Sequence, residues 1–173
     1  MPELPDITVY LEALETRVVG RTLEQVRVGR PFLVRTFDPS LDDCRGRRVE
    51  QLRRIGKRIA FGLTDELWIV LHLMIAGRLH WKPAGAGLPA KRGLAVFDFG
   101  HCTLLLTEAG AKRRASLHVV RGAAGLEALD PHGLEPLTCT VDEFAAALVR
   151  ENRTLKRALT DPRTFSGIGN AYS

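Results

Sequence analysis

The chain has 173 residues, with 25 Lys and Arg against 20 Asp and Glu, a formal net charge of +5. An apolar share of 45% supports a packed core rather than a disordered chain, and no apolar run approaches the roughly 18 residues that cross a bilayer. Three scattered cysteines without CxxC spacing, Cys44, Cys102 and Cys139, and acids where a secretory leader needs Lys or Arg, exclude a disulfide scaffold and point to a cytoplasmic protein with reduced thiols.

Pro5 and Asp6 open a helix whose apolar positions, Ile7, Leu11, Leu14 and Val18, recur at helical spacing, with Gly20 as its stop. Short β-rich runs follow over residues 23–28, 32–37, 47–55, 59–63, 68–73, 78–81, 94–99 and 102–107, separated by turn signals such as Gly29-Arg30-Pro31 and Asp38-Pro39-Ser40. Many short strands with this punctuation predict an antiparallel β-sandwich, so the fold class is α+β. Residues 83–89, with two glycines between two prolines, read as a surface loop, and the proline-rich stretch 129–136 reads as a linker. Beyond it, Thr140 and Glu143 form a capping box for a helix over 141–149, and a second helix over 155–161 stops at Pro162. The division expected is 1–130 for the sandwich and 131–173 for a linker and an incomplete helical unit. The glycine-rich turn at 167–169 should lead into a further helix, so the sequence is expected to be a piece of a longer protein.

Basic residues cluster at Arg45–Arg48, Arg53–Arg58, Lys112–Arg114 and Arg150–Arg157. One such cluster is an ordinary solvated face, but four in a short chain favour a nucleic-acid partner. Met1 precedes a residue small enough for the initiator to be trimmed, which leaves a secondary amine on Pro2 able to attack a carbonyl carbon. Glu3 and Asp6 stand beside that amine and could move protons, although an acid-rich Met-Pro start is also simply what the helix dipole favours. His72, His80, His101 and His118 alternate with apolar residues and lack the tight spacing of a zinc site. No metal or other cofactor is expected in this chain.

MPELPDI at the literal N-terminus resembles the start of the formamidopyrimidine-DNA glycosylase and endonuclease VIII family. Arg54-Ile55-Gly56-Lys57-Arg58 resembles the family's hairpin-lysine motif, and His72 to Leu79 resembles its HLGMSGRL segment. Lys156 to Asp161 followed by Gly167-Ile168-Gly169-Asn170-Ala171-Tyr172 resembles its helix–two-turn–helix. The resemblance runs over essentially the whole chain. It implies a base-excision-repair glycosylase with AP (β,δ) lyase activity on oxidised bases of duplex DNA, with oxidised purines such as 8-oxoguanine and formamidopyrimidines favoured. In that scheme Pro2 is the nucleophile, Glu3 the acid that helps open the sugar, and Asp6 a further carboxylate of the catalytic set. Lys57, of the catalytic set too, contacts the phosphate beside the lesion and assists near the reacting sugar; Gly169, Asn170 and Lys156 contact the DNA backbone, while His72, Met74 and Ile75 belong to the segment that fills the space of the flipped base. It also implies a zinc finger beyond Ser173, a monomer, no membrane, and a nucleoid-associated location.

Three departures qualify this. Asp6 stands where the family has Glu. Met74 occupies the usual glycine position, and Ile75 that of the intercalating methionine. The probing loop, residues 107–115, has no phenylalanine, leaving Arg113 or Arg114 to face the orphaned base. The alternatives are a damaged-DNA or abasic-site binding protein of the same fold, an endonuclease VIII-like enzyme for oxidised pyrimidines, and a basic RNA-binding β-domain.

Overall fold

The computed structural model describes residues 1–173. Helix α1, Leu4–Val18, starts with Pro5 in its first turn, where a missing N–H costs nothing, and with the Asp6 carboxylate accepting from the Glu3 N–H at 2.9 Å. Ile7, Leu14 and Val18 form its buried face. Nine strands follow: β1 (Thr22–Leu23), β2 (Gln25–Val28), β3 (Arg47–Ile55), β4 (Arg58–Leu63), β5 (Leu67–His72), β6 (Gly77–Pro83), β7 (Gly93–Asp98), β8 (Cys102–Glu108) and β9 (Ser116–Arg121).

They make two antiparallel sheets, ordered β1-β3-β4-β5-β9 and β2-β7-β8-β6. Their inner faces and α1 close one core, with Ile59, Leu67, Ile69 and Leu71 from the first sheet and Leu94, Leu104 and Leu106 from the second. The outer face of the first sheet is covered by helix α2, Gly122–Glu127, whose Leu126 packs on Ile55, Ala60, Trp68 and Val70.

Three expectations need correction. The run at 23–28 is two strands, one per sheet: Glu24 interrupts it, and β1 pairs with β3 while β2 pairs with β7. The run at 32–37 is a 3-10 turn, Pro31–Leu33, followed by a single parallel bridge from Val34 to Leu117. Its Arg35 N–H donates to the Leu117 carbonyl and its Thr36 hydroxyl accepts from the Val119 N–H, so the segment covers the open edge of β9 instead of forming a strand. Strand β9 and helix α2 lay hidden behind the basic run Lys112–Arg114.

Helix α3, Val141–Val149, carries the expected box: the Thr140 hydroxyl accepts from the Glu143 N–H, and the Glu143 carboxylate accepts from the Thr140 N–H at 2.7 Å. Helix α4, Leu155–Thr160, ends before Pro162. Fully buried Phe165 packs on Phe144 with ring centroids 4.4 Å apart, and it ties the linker to α4 through the bridge to Leu134. No helix is long and apolar enough to cross a membrane.

Candidate functional site

The N-terminus is drawn into the protein rather than left free. Pro2 is buried and Glu3 is 1% exposed. A carboxylate so placed must be hydrogen-bonded, and Glu3 is: it accepts from the N–H groups of Gly169 (2.8 Å), Ala171 (2.8 Å) and Tyr172 (3.2 Å). The Leu4 N–H donates to the Gly167 carbonyl at 2.9 Å, which completes the clasp. The two glycines of the turn are required by this contact. A Cβ on Gly169 would lie 2.5 Å from a Glu3 oxygen and 2.8 Å from Lys57 Nζ. Gly167 has φ +80°, and a Cβ there would meet Leu4. Residues 3, 57 and 169, remote in sequence, thus meet at one point.

Lys57 reaches that point from the tip of the β3–β4 hairpin. Ile55 pairs with Arg58, leaving a two-residue turn whose first member, Gly56, has the positive φ (57°) that such a hairpin demands. Burial holds the lysine amine below its ordinary pKa, and the nearby Glu3 charge opposes that shift. A lysine at this point is placed to bind a phosphate. Beside it a cavity of about 240 Å³ is lined by Met1, Lys57, His72, Pro131, Thr160 and Gly167, among others. Met1 lies within it, its sulfur 3.8 Å from Lys57 Nζ. Burial, and then the charges of Arg58, Lys57 and His118, push His72 down to a pKa of about 4, so it is neutral near pH 7.

The remaining expected residues sit around this cleft. Asp6 is exposed and caps α1 through the Glu3 N–H, so in this structure its carboxylate serves the helix start. Asn170 is exposed at the end of the glycine turn. Met74 and Ile75 form the turn between β5 and β6. Met74 has φ +53°, and Ile75 is 55% exposed. Lys156 is exposed on α4, next to a polar groove lined by Arg153, Arg157 and Arg163. There Asp161 bonds Arg163 and Arg153, which hold its carboxyl far below the usual carboxylate range. Of the two probing-loop arginines, Arg113 donates to the Lys91 carbonyl and Arg114 is exposed.

Two site-shaping residues escaped the sequence reading. Glu108, 1% exposed, accepts from the N–H groups of Arg114 (3.0 Å) and Ala115 (3.1 Å) and folds the probing loop onto itself. Arg54 donates to the Gly56 carbonyl (2.9 Å) and the Ser166 hydroxyl (3.1 Å) and pairs with Glu135, joining hairpin, linker and glycine turn. No local pattern flags either one, because their partners are distant or are backbone groups. No cluster of three His, Cys, Asp or Glu side chains could hold a metal ion, so no residue set in this chain fits the zinc implied by the resemblance.

Residues 1–168 match the model of the formamidopyrimidine-DNA glycosylase N-terminal domain. A formamidopyrimidine-DNA glycosylase of Heliobacterium modesticaldum is 31% identical over 191 residues, covering 100% of this chain and 65% of the relative. One of Parafrankia sp. is 35% identical over 189 residues, covering 100% and 64%. The chain therefore spans just under two thirds of the relatives it matches. Among solved structures, a Lactococcus lactis Fpg in complex with DNA containing an abasic site superposes with a TM-score of 0.84 at 22% identity, covering 98% of this chain and 64% of that one. MutM in complex with DNA containing carbocyclic 8-oxo-G gives 0.85 at 22% identity, covering 99% and 65%.

Proposed function

The chain belongs to the formamidopyrimidine-DNA glycosylase family, and from that premise we propose that it is the catalytic portion of a base-excision enzyme. The enzyme removes oxidised bases, those of the formamidopyrimidine and 8-oxoguanine class first, from duplex DNA and then cleaves the strand as an AP lyase. Residues 1–130 are read as the catalytic sandwich and 131–173 as the start of the DNA-gripping helical unit, with double-stranded DNA the partner of both. The observation that carries this reading is the convergence of the chain's own N-terminus, Glu3, Lys57 and the glycine turn at one cleft.

Excision of Met1 frees the Pro2 amine and clears a side chain out of that cleft. The amine lone pair forms a bond to the sugar C1′ as the bond to the damaged base breaks and the base leaves with its electron pair. The proton that the attacking nitrogen sheds passes to Glu3, which gives it to the ring oxygen as the nitrogen lone pair opens the sugar, leaving an iminium on Pro2. This electron sink lets a base take a C2′ proton as the C3′–O bond breaks and the 3′ phosphate leaves with its electron pair; loss of a C4′ proton then expels the 5′ phosphate in the same way. Lys57 and Asn170 bind the phosphate beside the lesion. The target must be flipped out of the stack to be reached, and Ile75 is the exposed apolar wedge that occupies the gap.

Borohydride should trap the Met1-processed, full-length protein covalently on duplex DNA bearing an abasic site or 8-oxoguanine, and Pro2→Gly should abolish the trapping. Absence of trapping by processed wild-type protein would overturn the mechanism. The probing loop, which carries no phenylalanine and is held closed by Glu108, favours a second reading as a damage-binding protein. Tight lesion binding without strand cleavage across a lesion panel would select it.

A further inference from the structure

The outer face of the first sheet carries a polar row that the chemistry above does not use. Strand register sets Arg58 on β4 directly opposite His72 on β5, and His118 on β9 opposite Val70, one rung further along the same face. Directly opposed residues share a face, and this is the face that α2 covers. Arg58 Nη1 donates to the carbonyl of Leu129, where the chain leaves α2 for the linker. Arg58 Nε, His72 Nε2 and His118 Nδ1 are fully buried and have no partner in the protein. Arg58 and His72 also line the Lys57 cleft, together with Pro131 of the same linker.

A guanidinium at this depth is costly to keep. A long apolar residue would fill the same position at less cost, so its cationic head invites a role. What it touches defines that role: linker backbone on one side, the floor of the cleft on the other. We propose that Arg58 is a positioning residue that bolts the linker onto the first sheet and so fixes His72 and Lys57 in the cleft, acting on DNA through them. The role in DNA binding rests on the reading given above, whereas the placement of His72 does not. The charged and titratable groups around this row are Lys57 at the hairpin tip, His118 on β9, Asp130 of the linker, which faces Arg58, and Arg35, which faces His118. After burial itself, Arg58, directly opposite on β4, is the largest influence that keeps His72 neutral.

The test uses full-length protein with Arg58→Met and Arg58→Lys. Imidazole titration by NMR reads His72 without DNA, and fluorescence anisotropy reads binding to a duplex carrying a tetrahydrofuran abasic analogue. Arg58→Met should raise the His72 midpoint by about one pH unit, because a close like charge is removed. It should also weaken duplex binding about tenfold, the scale of one lost charge-assisted hydrogen bond. Arg58→Lys keeps the charge, so its midpoint stays near wild type while binding still weakens severalfold; this variant carries the test if Arg58→Met does not fold. A lowered melting temperature with His72 midpoint and binding both unchanged would make Arg58 a purely structural residue and overturn the proposal. Wild-type protein that fails to bind the abasic duplex at all overturns the DNA reading instead, and the midpoint shift still decides whether Arg58 places His72.

Discussion

Met74 shows how a single residue records the demands of its turn. Its φ of +53° lies in the left-handed region, where a side chain costs roughly 1–2 kcal/mol. The turn is closed by the Gly77 N–H donating to the Leu73 carbonyl at 2.9 Å, so the backbone has no freedom to relax. Met74→Gly is therefore expected to stabilise the protein by about 0.5–1 kcal/mol after glycine's own entropy is subtracted. Urea unfolding checks it: a midpoint that rises without a change in slope is the expected result. Next to it Ile75 is 55% exposed, so the same turn that strains Met74 holds an apolar side chain out in solvent. Glycine is less dispensable at 169, where the clash would fall on Glu3 and Lys57 together.

At the scale of the element, the probing loop between β8 and β9 is held by one buried acid. Glu108 binds two backbone N–H groups that would otherwise be orphaned as the chain crosses from one sheet to the other. Glu108→Ala should cost about 2–3 kcal/mol, the penalty for leaving buried donors unpaired, and Glu108→Gln, which retains one acceptor, should cost distinctly less. Equal losses in the two variants, measured by denaturant unfolding, would show that bulk rather than hydrogen bonding matters there. This residue also marks the limit of reading elements from sequence. Strands β3, β4, β5, β7 and β8 were legible because β-branched and aromatic runs alternate with turn chemistry, and α1 and α3 because their caps are local. Strand β9 was not, because its neighbours on the chain are basic and its pairing with β5 is long-range. The split of β1 from β2 depends on which sheet each half joins, and Glu24 alone does not announce it. Within the site, Pro2 and Glu3 were legible as an amine beside an acid, but only the resemblance set them above a plain helix start, and it alone singled out Lys57. Glu108, Arg54 and Arg58 act through partners that no spacing rule connects.

The whole molecule is organised by contacts between the sandwich and the helical segment that follows it. Glu3 and Leu4 grip the glycine turn, Arg58 holds the linker, and Arg54 reaches Ser166 and Glu135 from the strand that leads into the Lys57 hairpin. Arg54 is the most informative of these, because it touches three segments at once and its side chain is 19% exposed, against 33% for Glu135. A partly buried pair of this kind is worth less than a dry one, yet removing one partner leaves the other charge incompletely matched. Glu135→Gln should destabilise the protein by about 1–2 kcal/mol. In a double-mutant cycle with Arg54→Met, the coupling should reach about 1 kcal/mol, since the two side chains are in direct contact. If the Arg54 contacts also align the hairpin with the turn, both single variants should slow borohydride trapping at saturating abasic DNA, where a merely weaker fold assayed well below its melting temperature would not. A cycle with no coupling, or trapping rates equal to wild type in both variants, would mean that the two halves of the cleft are aligned by the Glu3 clasp alone.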